Sequence, residues 1–363
     1  MSRISNFLEV LERERLDAFL VTSQVDIRYL VGFSGSAGML WVSPERVVFL
    51  TDFRYETQSK EQIGDKAEIH IITAEKGYYD WIEELKLTEG KKFVGFDENI
   101  VKYGTYKRLI SRFPDVNWIP LADPIGKLRA VKDPEEVNKI QQAVDIAVEA
   151  LSETLPLLRP GITEKEFAAE LEYRMRRKGS ERPAFETIVA SGHRAALPHG
   201  IASDKVINAG EMVTIDFGAV FEGYASDLTR TYFVGTPDQK FKEIYGIVLR
   251  AQTTAIQSAK PGITGKELDG IARKIIEDAG YGEYFGHSLG HGLGLYVHDS
   301  VAVSVRNENP LEEGTVITIE PGIYIPEWGG VRIEDDVVLR ADGAEVLSEQ
   351  LPKQLGDIVI PVD

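Results

Sequence analysis

The sequence predicts two parts, an α/β domain followed by an α+β domain that contains an internal duplication. Up to about residue 122, short apolar segments rich in β-branched and aromatic residues alternate with charged amphipathic segments, the pattern of an α/β domain. Beyond that point, two segments resemble each other at a spacing of 101 residues, which indicates a repeat. With 363 residues, the chain is long enough to form both domains.

The first domain is predicted to contain five strands separated by helices. These strands correspond to the segments DAFLVTS, GMLWVS, RVVFLTD, AEIHIITA and KFVGFDE. The pattern breaks near residues 121–137, where Asp133 and Pro134 suit the N-cap and first position of a new helix. We therefore predict an N-terminal domain over 1–125 and a second domain over 126–363.

The second domain contains the repeat. Residues 159–179 and 260–280 both place Pro-Gly after one helix and then start the next with Ile-Thr. In each, a Glu follows the Thr by three residues, at Glu166 and Glu267, which predicts a capping box. Two unrelated helices can begin with a capping box by chance. The identical PGIT, the matching Lys-Glu and the Gly that closes both segments favour duplication.

A predicted β-hairpin follows each copy of the repeat. In the first, EMVTIDFGAVFEGYASDLTRTYFVG, a loop centred on Phe221 and Glu222 places Asp216 opposite Asp227. In the second, GTVITIEPGIYIPEWGGVRIEDDVVL, a loop centred on Glu327 places Glu320 opposite Glu334, unless Pro321-Gly322 adds a bulge. Like charges that face each other destabilise a hairpin, so both registers require an explanation.

Bound cations would explain the opposed acids. Four carboxylates brought together raise one another's pKa, and their burial without partners is costly. Two divalent ions would balance their charge, and carboxylates favour Mn²⁺, with Fe, Co or Zn also possible. A single acid of this kind is more simply a solvated strand residue, but two opposed pairs in duplicated hairpins favour a metal centre.

Histidine placement supports this hypothesis. Of the six histidines, His70 is alone in an apolar segment and is predicted to be structural. The other five fall in the segments SGHRAALPHG and YFGHSLGHGLGLYVHD, at His193, His199, His287, His291 and His298. Imidazole is both a metal ligand and an acid or base near neutral pH. The glycines of the second segment could instead surround a phosphate, but no GK[ST] follows and the surroundings are acidic.

Charge and composition exclude several classes of partner. The net charge of −17 argues against nucleic acid and anionic membranes. Cysteine is absent, which excludes disulfides, thiolate metal sites and cysteine nucleophiles and fits a cytoplasmic location. The N-terminus is charged throughout, so we expect neither a signal peptide nor a membrane span.

The motifs TIDFG, YASDLTRT, HSLGHGLGLYVHD, TIEPGIY and VRIEDD, in this order, resemble those of the Xaa-Pro peptidases, aminopeptidase P and prolidase. The resemblance covers nearly all of the chain. It implies a pita-bread α+β catalytic domain after a smaller α/β domain of the creatinase type. It also implies a homodimer that uses two divalent ions, most simply Mn²⁺, to cleave small peptides with proline second.

The resemblance also implies roles for individual residues. Asp216 would bind one metal, Asp227 and Glu334 would bridge both, and His291 and Glu320 would bind the other. The residues expected to act on substrate or catalysis are His199, His287, His298, Arg332 and Glu320. Asp299 follows His298 where many relatives carry Glu, and we expect little effect because neither would bind metal.

The N-terminal segments GFSGSAG and TDFRYETQ look more like aminopeptidase P than prolidase, so the sequence favours longer peptides over Xaa-Pro dipeptides. Three other interpretations share this fold. A creatinase-type hydrolase and a non-catalytic peptide-binding relative typically lack part of the ligand set. Methionine aminopeptidase usually lacks such an N-terminal domain.

Overall fold

The computed structural model describes residues 2–362 and divides into two compact units at Arg129 and Ala130. The predicted boundary after residue 125 stays a prediction. Among the described residues, no helix combines the length and the apolar composition that a bilayer crossing requires.

The first unit contains a six-stranded mixed sheet in the order β4-β3-β2-β1-β5-β6. Its strands are β1 (Ala18–Val21), β2 (Met39–Val42), β3 (Val47–Asp52), β4 (Glu68–Ile72), β5 (Phe93–Asp97) and β6 (Asn117–Leu121). Its helices are α1 (Arg3–Arg13), α2 (Gln24–Val31), α3 (Glu56–Ile63), α4 (Tyr78–Glu84), α5 (Tyr103–Arg112) and α6 (Gly126–Ala130).

All five predicted strands are present in this sheet, and the sixth was missed. Strand β6 contains Pro120, and a proline within an apolar segment argues against a strand. It is tolerated here because β6 lies at the edge of the sheet. The core of this unit includes Leu20, Trp41 and Leu109, each at most 1% exposed.

The second unit has four long helices, α7 (Pro134–Thr154), α8 (Glu164–Arg177), α9 (Gln239–Ser258) and α10 (Gly265–Asp278). The predicted starts of three of them are confirmed. Asp133 caps α7 with Pro134 in its first turn, and Thr163 and Thr264 cap α8 and α10 with complete capping boxes. These reciprocal hydrogen bonds satisfy backbone N–H groups that the helix itself leaves unpaired.

The strands described in this unit form two larger sheets and two short ribbons. The four-stranded sheet has the order β19-β11-β8-β7, the five-stranded sheet has the order β13-β12-β14-β17-β18, and the ribbons are β9 with β10 and β15 with β16. The strands are β7 (Ile188–Ser191), β8 (Glu211–Phe217), β9 (Val220–Phe221), β10 (Tyr224–Ala225), β11 (Leu228–Val234), β12 (Gly290–Gly292), β13 (Asp299–Val303), β14 (Val316–Ile319), β15 (Gly322–Ile325), β16 (Gly329–Arg332), β17 (Asp335–Arg340), β18 (Gly343–Val346) and β19 (Val359–Ile360).

Candidate metal centre and active-site cavity

The first hairpin forms, but its predicted register is wrong. Asp216 on β8 lies opposite Thr229 on β11, so the loop is centred one residue later than expected. The two turn residues are Glu222 and Gly223, with φ angles of 45° and 82°. Positive φ at both central positions is the type I′ turn, whose twist matches that of paired strands.

This register separates the two aspartates along the hairpin. Asp227 lies between β10 and β11, and its backbone N–H donates to Asp336 Oδ2 at 3.0 Å. Continuing the ladder places Gly218 opposite Asp227, and a Cβ at Gly218 would lie 1.9 Å from Ser226 O. The hairpin therefore brings both carboxylates to one region without opposing them directly.

The predicted register of the second hairpin is confirmed. Ile319 pairs with Asp335 and Gly322 pairs with Arg332, and these two pairs flank Glu320 and Glu334 in one continuous register. Pro321 interrupts the ladder without shifting it.

A β-bridge is one of the links between the two hairpins. Thr229 pairs with Glu334 in antiparallel fashion, and the Glu334 N–H donates to Thr229 O at 3.1 Å. The Thr229 hydroxyl also donates to Glu334 Oε2 at 2.5 Å. Both the backbone and the side chain of Thr229 thus fix the position of the Glu334 carboxylate beside the first hairpin.

His291 enters the site from β12, between β13 and β14. Its Nε2 lies 3.5 Å from Asp227 Oδ2 and 3.5 Å from Glu320 Oε1. The preceding Gly290 permits this approach, because a Cβ there would lie 2.0 Å from Thr318 O. Strand β14 can therefore lie close to β12 at this position because Gly290 has no side chain.

The structure brings all five predicted metal ligands to one cavity. Potential ligand atoms of Asp227, His291 and Glu334 all lie within 4.8 Å of one another. Asp216 and Glu320 line the same cavity. Asp216 Oδ2 accepts a hydrogen bond from Arg332 Nη2 at 2.6 Å, while its Oδ1 is buried without a hydrogen-bond partner.

The electrostatics of this cluster disfavour the ionised form of its acids. Burial raises the pKa of Asp227 and Glu334 well above their usual range, and neighbouring carboxylates raise both further. Burial also raises the pKa of Glu320 to about 8. Burial lowers the pKa of His291 to about 4, so its imidazole is neutral at pH 7 and supplies no balancing cation.

These residues suit divalent cations. Two aspartates, two glutamates and a neutral imidazole form a donor set for hard or borderline metal ions. The Asp216 Oδ1 atom is buried and accepts no hydrogen bond, so its lone pairs are available to bind a cation. Positive charge would let the clustered carboxylates remain ionised, which burial alone opposes.

The cavity has a volume of about 510 Å³ and also contains the predicted substrate-handling residues. These are His199, His287, His298 and Arg332. The ring of His298 lies 4.2 Å from that of His291. His193 is exposed and is not among the described residues that line the cavity. His70 belongs to the first unit, where its ring packs 4.6 Å from Trp81.

Arg332 is fixed by four hydrogen bonds from its guanidinium. Besides Asp216, it donates to Tyr324 OH at 2.8 Å, to Thr229 Oγ1 at 3.1 Å and to Pro198 O at 3.2 Å. Arg332 is 3% exposed, so these contacts orient a buried cation beside the acids. It connects both hairpins with the segment that carries His199.

Sequence reasoning assigned no role to three residues of this site: Thr229, Tyr324 and Asp336. Thr229 and Asp336 each follow a predicted ligand by two positions, namely Asp227 and Glu334. Tyr324 follows the predicted ligand Glu320 by four positions. Side chains two residues apart on a strand share a face. This alternation could have predicted from the sequence that the three residues lie near the ligands.

Comparison with known families agrees with this architecture. Residues 138–341 match metallopeptidase family M24, and residues 3–131 match the creatinase/prolidase N-terminal domain. The expected fold, a pita-bread catalytic domain after a creatinase-type N-terminal domain, is confirmed.

Individual relatives cover almost the whole chain. An Xaa-Pro dipeptidase of Pyrococcus horikoshii is 42% identical over 96% of this chain and 97% of its own length. Two solved structures are each 41% identical over 99% of this chain. They are an Xaa-Pro dipeptidase from Bacillus anthracis (99% of its chain, TM-score 0.93) and an X-Pro aminopeptidase from Thermotoga maritima (100% of its chain, TM-score 0.90). The chain belongs to metallopeptidase family M24.

Proposed function

We propose that this protein is a dinuclear metal-dependent exopeptidase that hydrolyses the bond between an N-terminal residue and a following proline. The observation that carries the proposal is the convergence of five metal-ligand side chains, three histidines and Arg332 on one cavity. The names of the relatives, which include Xaa-Pro dipeptidases and an X-Pro aminopeptidase, support the proline preference.

Each ligand has a separate proposed role. Asp216 would hold one ion, His291 and Glu320 would hold the other, and Asp227 and Glu334 would contribute ligand atoms to both. Mn²⁺ suits this oxygen-rich set, and Co, Fe or Zn are the other candidates. When bound, such ions polarise a carbonyl group and lower the pKa of a water molecule to about 7.

The surrounding residues orient the substrate and handle protons. Burial lowers the pKa of His298, so its neutral imidazole can donate one hydrogen bond to the oxygen of the scissile amide. His199 lines the same cavity, and its proposed role is to contact the prolyl part. Glu320 carries a proton from water towards the leaving nitrogen. The acids of the cavity attract the free α-ammonium group, which restricts cleavage to N-terminal residues.

Two substrate lengths have support. The sequence alone favours longer peptides, and the X-Pro aminopeptidase of Thermotoga maritima agrees with that choice. The relatives named Xaa-Pro dipeptidase favour the dipeptide. We propose the Xaa-Pro dipeptide as the first substrate to test and the longer peptide as the second.

A matched set of peptides tests the function. The substrates are Ala-Pro, Ala-Pro-Ala, Ala-Ala-Ala and acetyl-Ala-Pro-Ala, each with Mn²⁺ and with chelator. We expect cleavage of at least one free-amino proline peptide with Mn²⁺, poor cleavage of Ala-Ala-Ala, and sharply reduced cleavage after acetylation. Proline has no amide N–H, so a site shaped for it offers that position no acceptor, and an alanine peptide would leave its N–H unpaired. Equal rates for proline and alanine peptides would contradict the proposal.

Assembly and location are also proposals. The family resemblance supports a homodimer, which light scattering at several protein concentrations would detect. The lack of cysteine supports a cytoplasmic location, which cell fractionation would test.

A further inference from the structure

His287 lies in a loop segment, yet its backbone is tightly held by helix α10. Arg273 on that helix donates from Nη1 to Phe285 O at 2.9 Å and from Nη2 to His287 O at 2.8 Å. Its guanidinium also lies 4.3 Å from the centre of the Phe285 ring. One side chain therefore fixes the segment at two carbonyl groups.

Asp269 in turn fixes Arg273. Arg273 donates to both oxygens of the Asp269 carboxylate, from Nε at 2.7 Å and from Nη2 at 3.0 Å. Asp269 Oδ1 also accepts from the backbone N–H of Leu289 at 3.0 Å. Asp269 has no exposed surface and the Arg273 side chain is 21% exposed, so a mostly buried ion pair holds the backbone on both sides of His287.

The ring of His287 is held by two hydrogen bonds of its own, one at each nitrogen. Nδ1 lies 2.8 Å from Ser288 O, a carbonyl that can only accept, so Nδ1 carries the proton. Nε2, 2.9 Å from Tyr324 OH, is then the acceptor. Tyr324 OH accepts from Arg332 and donates its single proton to Nε2. These bonds define one neutral tautomer of His287 and connect it through Arg332 to Asp216.

We propose that Asp269 and Arg273 are positioning residues that act on the reaction through His287. By fixing the backbone at His287, they hold its ring against Tyr324 and so help to orient Arg332 beside Asp216. This inference rests on the proposed function and on the role in handling substrate that the family resemblance implies for His287.

A double-mutant cycle separates this role from simple stabilisation. The variants are Arg273→Lys, His287→Ala and the double variant, measured as kcat and KM with the best proline substrate and Mn²⁺. Lysine keeps the charge but not the fork that spans two carbonyl groups and a carboxylate. We expect kcat to fall about 10-fold in Arg273→Lys, with bound metal unchanged. The double variant should be no slower than His287→Ala, because both changes act on one residue.

Arg174→Lys is the matched control. Arg174 makes a pair of the same spacing with Glu170 on α8, but both side chains are partly exposed and neither lines the cavity. We expect this change to leave kcat and KM unaltered. Nitrogen-15 NMR of histidine side chains adds a readout independent of activity: the His287 ring signals should shift in Arg273→Lys and in Asp269→Asn, and not in Arg174→Lys.

The outcomes distinguish this inference from the proposed function. If His287→Ala leaves kcat and KM unaltered, the role proposed for His287 is wrong and the inference fails with it. If His287→Ala slows turnover but the two changes multiply in the double variant, the inference alone is contradicted. Unchanged His287 ring signals in both Arg273→Lys and Asp269→Asn would also overturn it.

Discussion

Individual buried acids determine what this site can bind. Asp227 is 6% exposed and Glu334 is 1% exposed, and each is surrounded by other carboxylates. Arg332 partly offsets this charge by bonding Asp216 directly and by donating to Thr229, which in turn donates to Glu334. One arginine cannot balance four clustered acids, so the local charge favours further cations.

Replacing Asp227 with Asn tests this at a single residue. Asn keeps the shape but loses the charge, so we expect kcat/KM to fall by at least about 100-fold and bound metal to decrease. The metal-free variant should unfold at a temperature no lower than that of the metal-free wild-type protein, because a strongly disfavoured buried carboxylate is removed. Metal analysis, kinetics and thermal unfolding measure the three effects. Wild-type metal content and turnover would exclude Asp227 from the site.

Two neighbouring histidines should respond differently to substitution. His291 has its Nε2 3.5 Å from Asp227 and Glu320, so His291→Ala should weaken metal binding. His298 is near His291 but is assigned to the substrate and not to a metal ion, so His298→Ala should keep the metal and lower kcat by about 100-fold. Metal content and kcat of both variants decide the question. The reverse result would show that the two roles have been exchanged.

At the scale of elements, two glycine-dependent features position the ligands. The turn at Glu222 and Gly223 sets the register that brings Asp227 next to Asp336. The close contact of β12 and β14 at Gly290 brings His291 to the acids. Loop and strand geometry, rather than side-chain attraction, therefore places groups that repel one another.

The strand contact can be tested with two glycine substitutions in one segment. A Cβ at Gly290 would lie 2.0 Å from Thr318 O, whereas a Cβ at Gly286 would meet nothing within 4 Å. We expect Gly290→Ala to lower the free energy of unfolding by about 3 kcal/mol or more and to reduce bound metal, because β12 must move. Gly286→Ala is the control and should change neither. Equal effects in chemical unfolding and metal analysis would contradict the role given to Gly290.

At the scale of the whole molecule, the sequence predicts what depends on local signals. The capping boxes of α8 and α10 and the second hairpin follow from short segments and are confirmed. The centre of the first turn was missed because Glu222 adopts positive φ, which a glutamate seldom does. The bridge from Thr229 to Glu334 was missed because it joins residues about 100 positions apart, which no local pattern encodes.

Metal titration of the chelator-treated protein tests the central claim most directly. Mn²⁺ is added in known ratios to the chain while hydrolysis of the best proline substrate is followed. We predict negligible hydrolysis without metal and a rise that reaches its plateau at two Mn²⁺ per chain, because the five ligand side chains are assigned to two ions. Full activity in excess chelator, or a plateau at one ion per chain or fewer, would contradict the account.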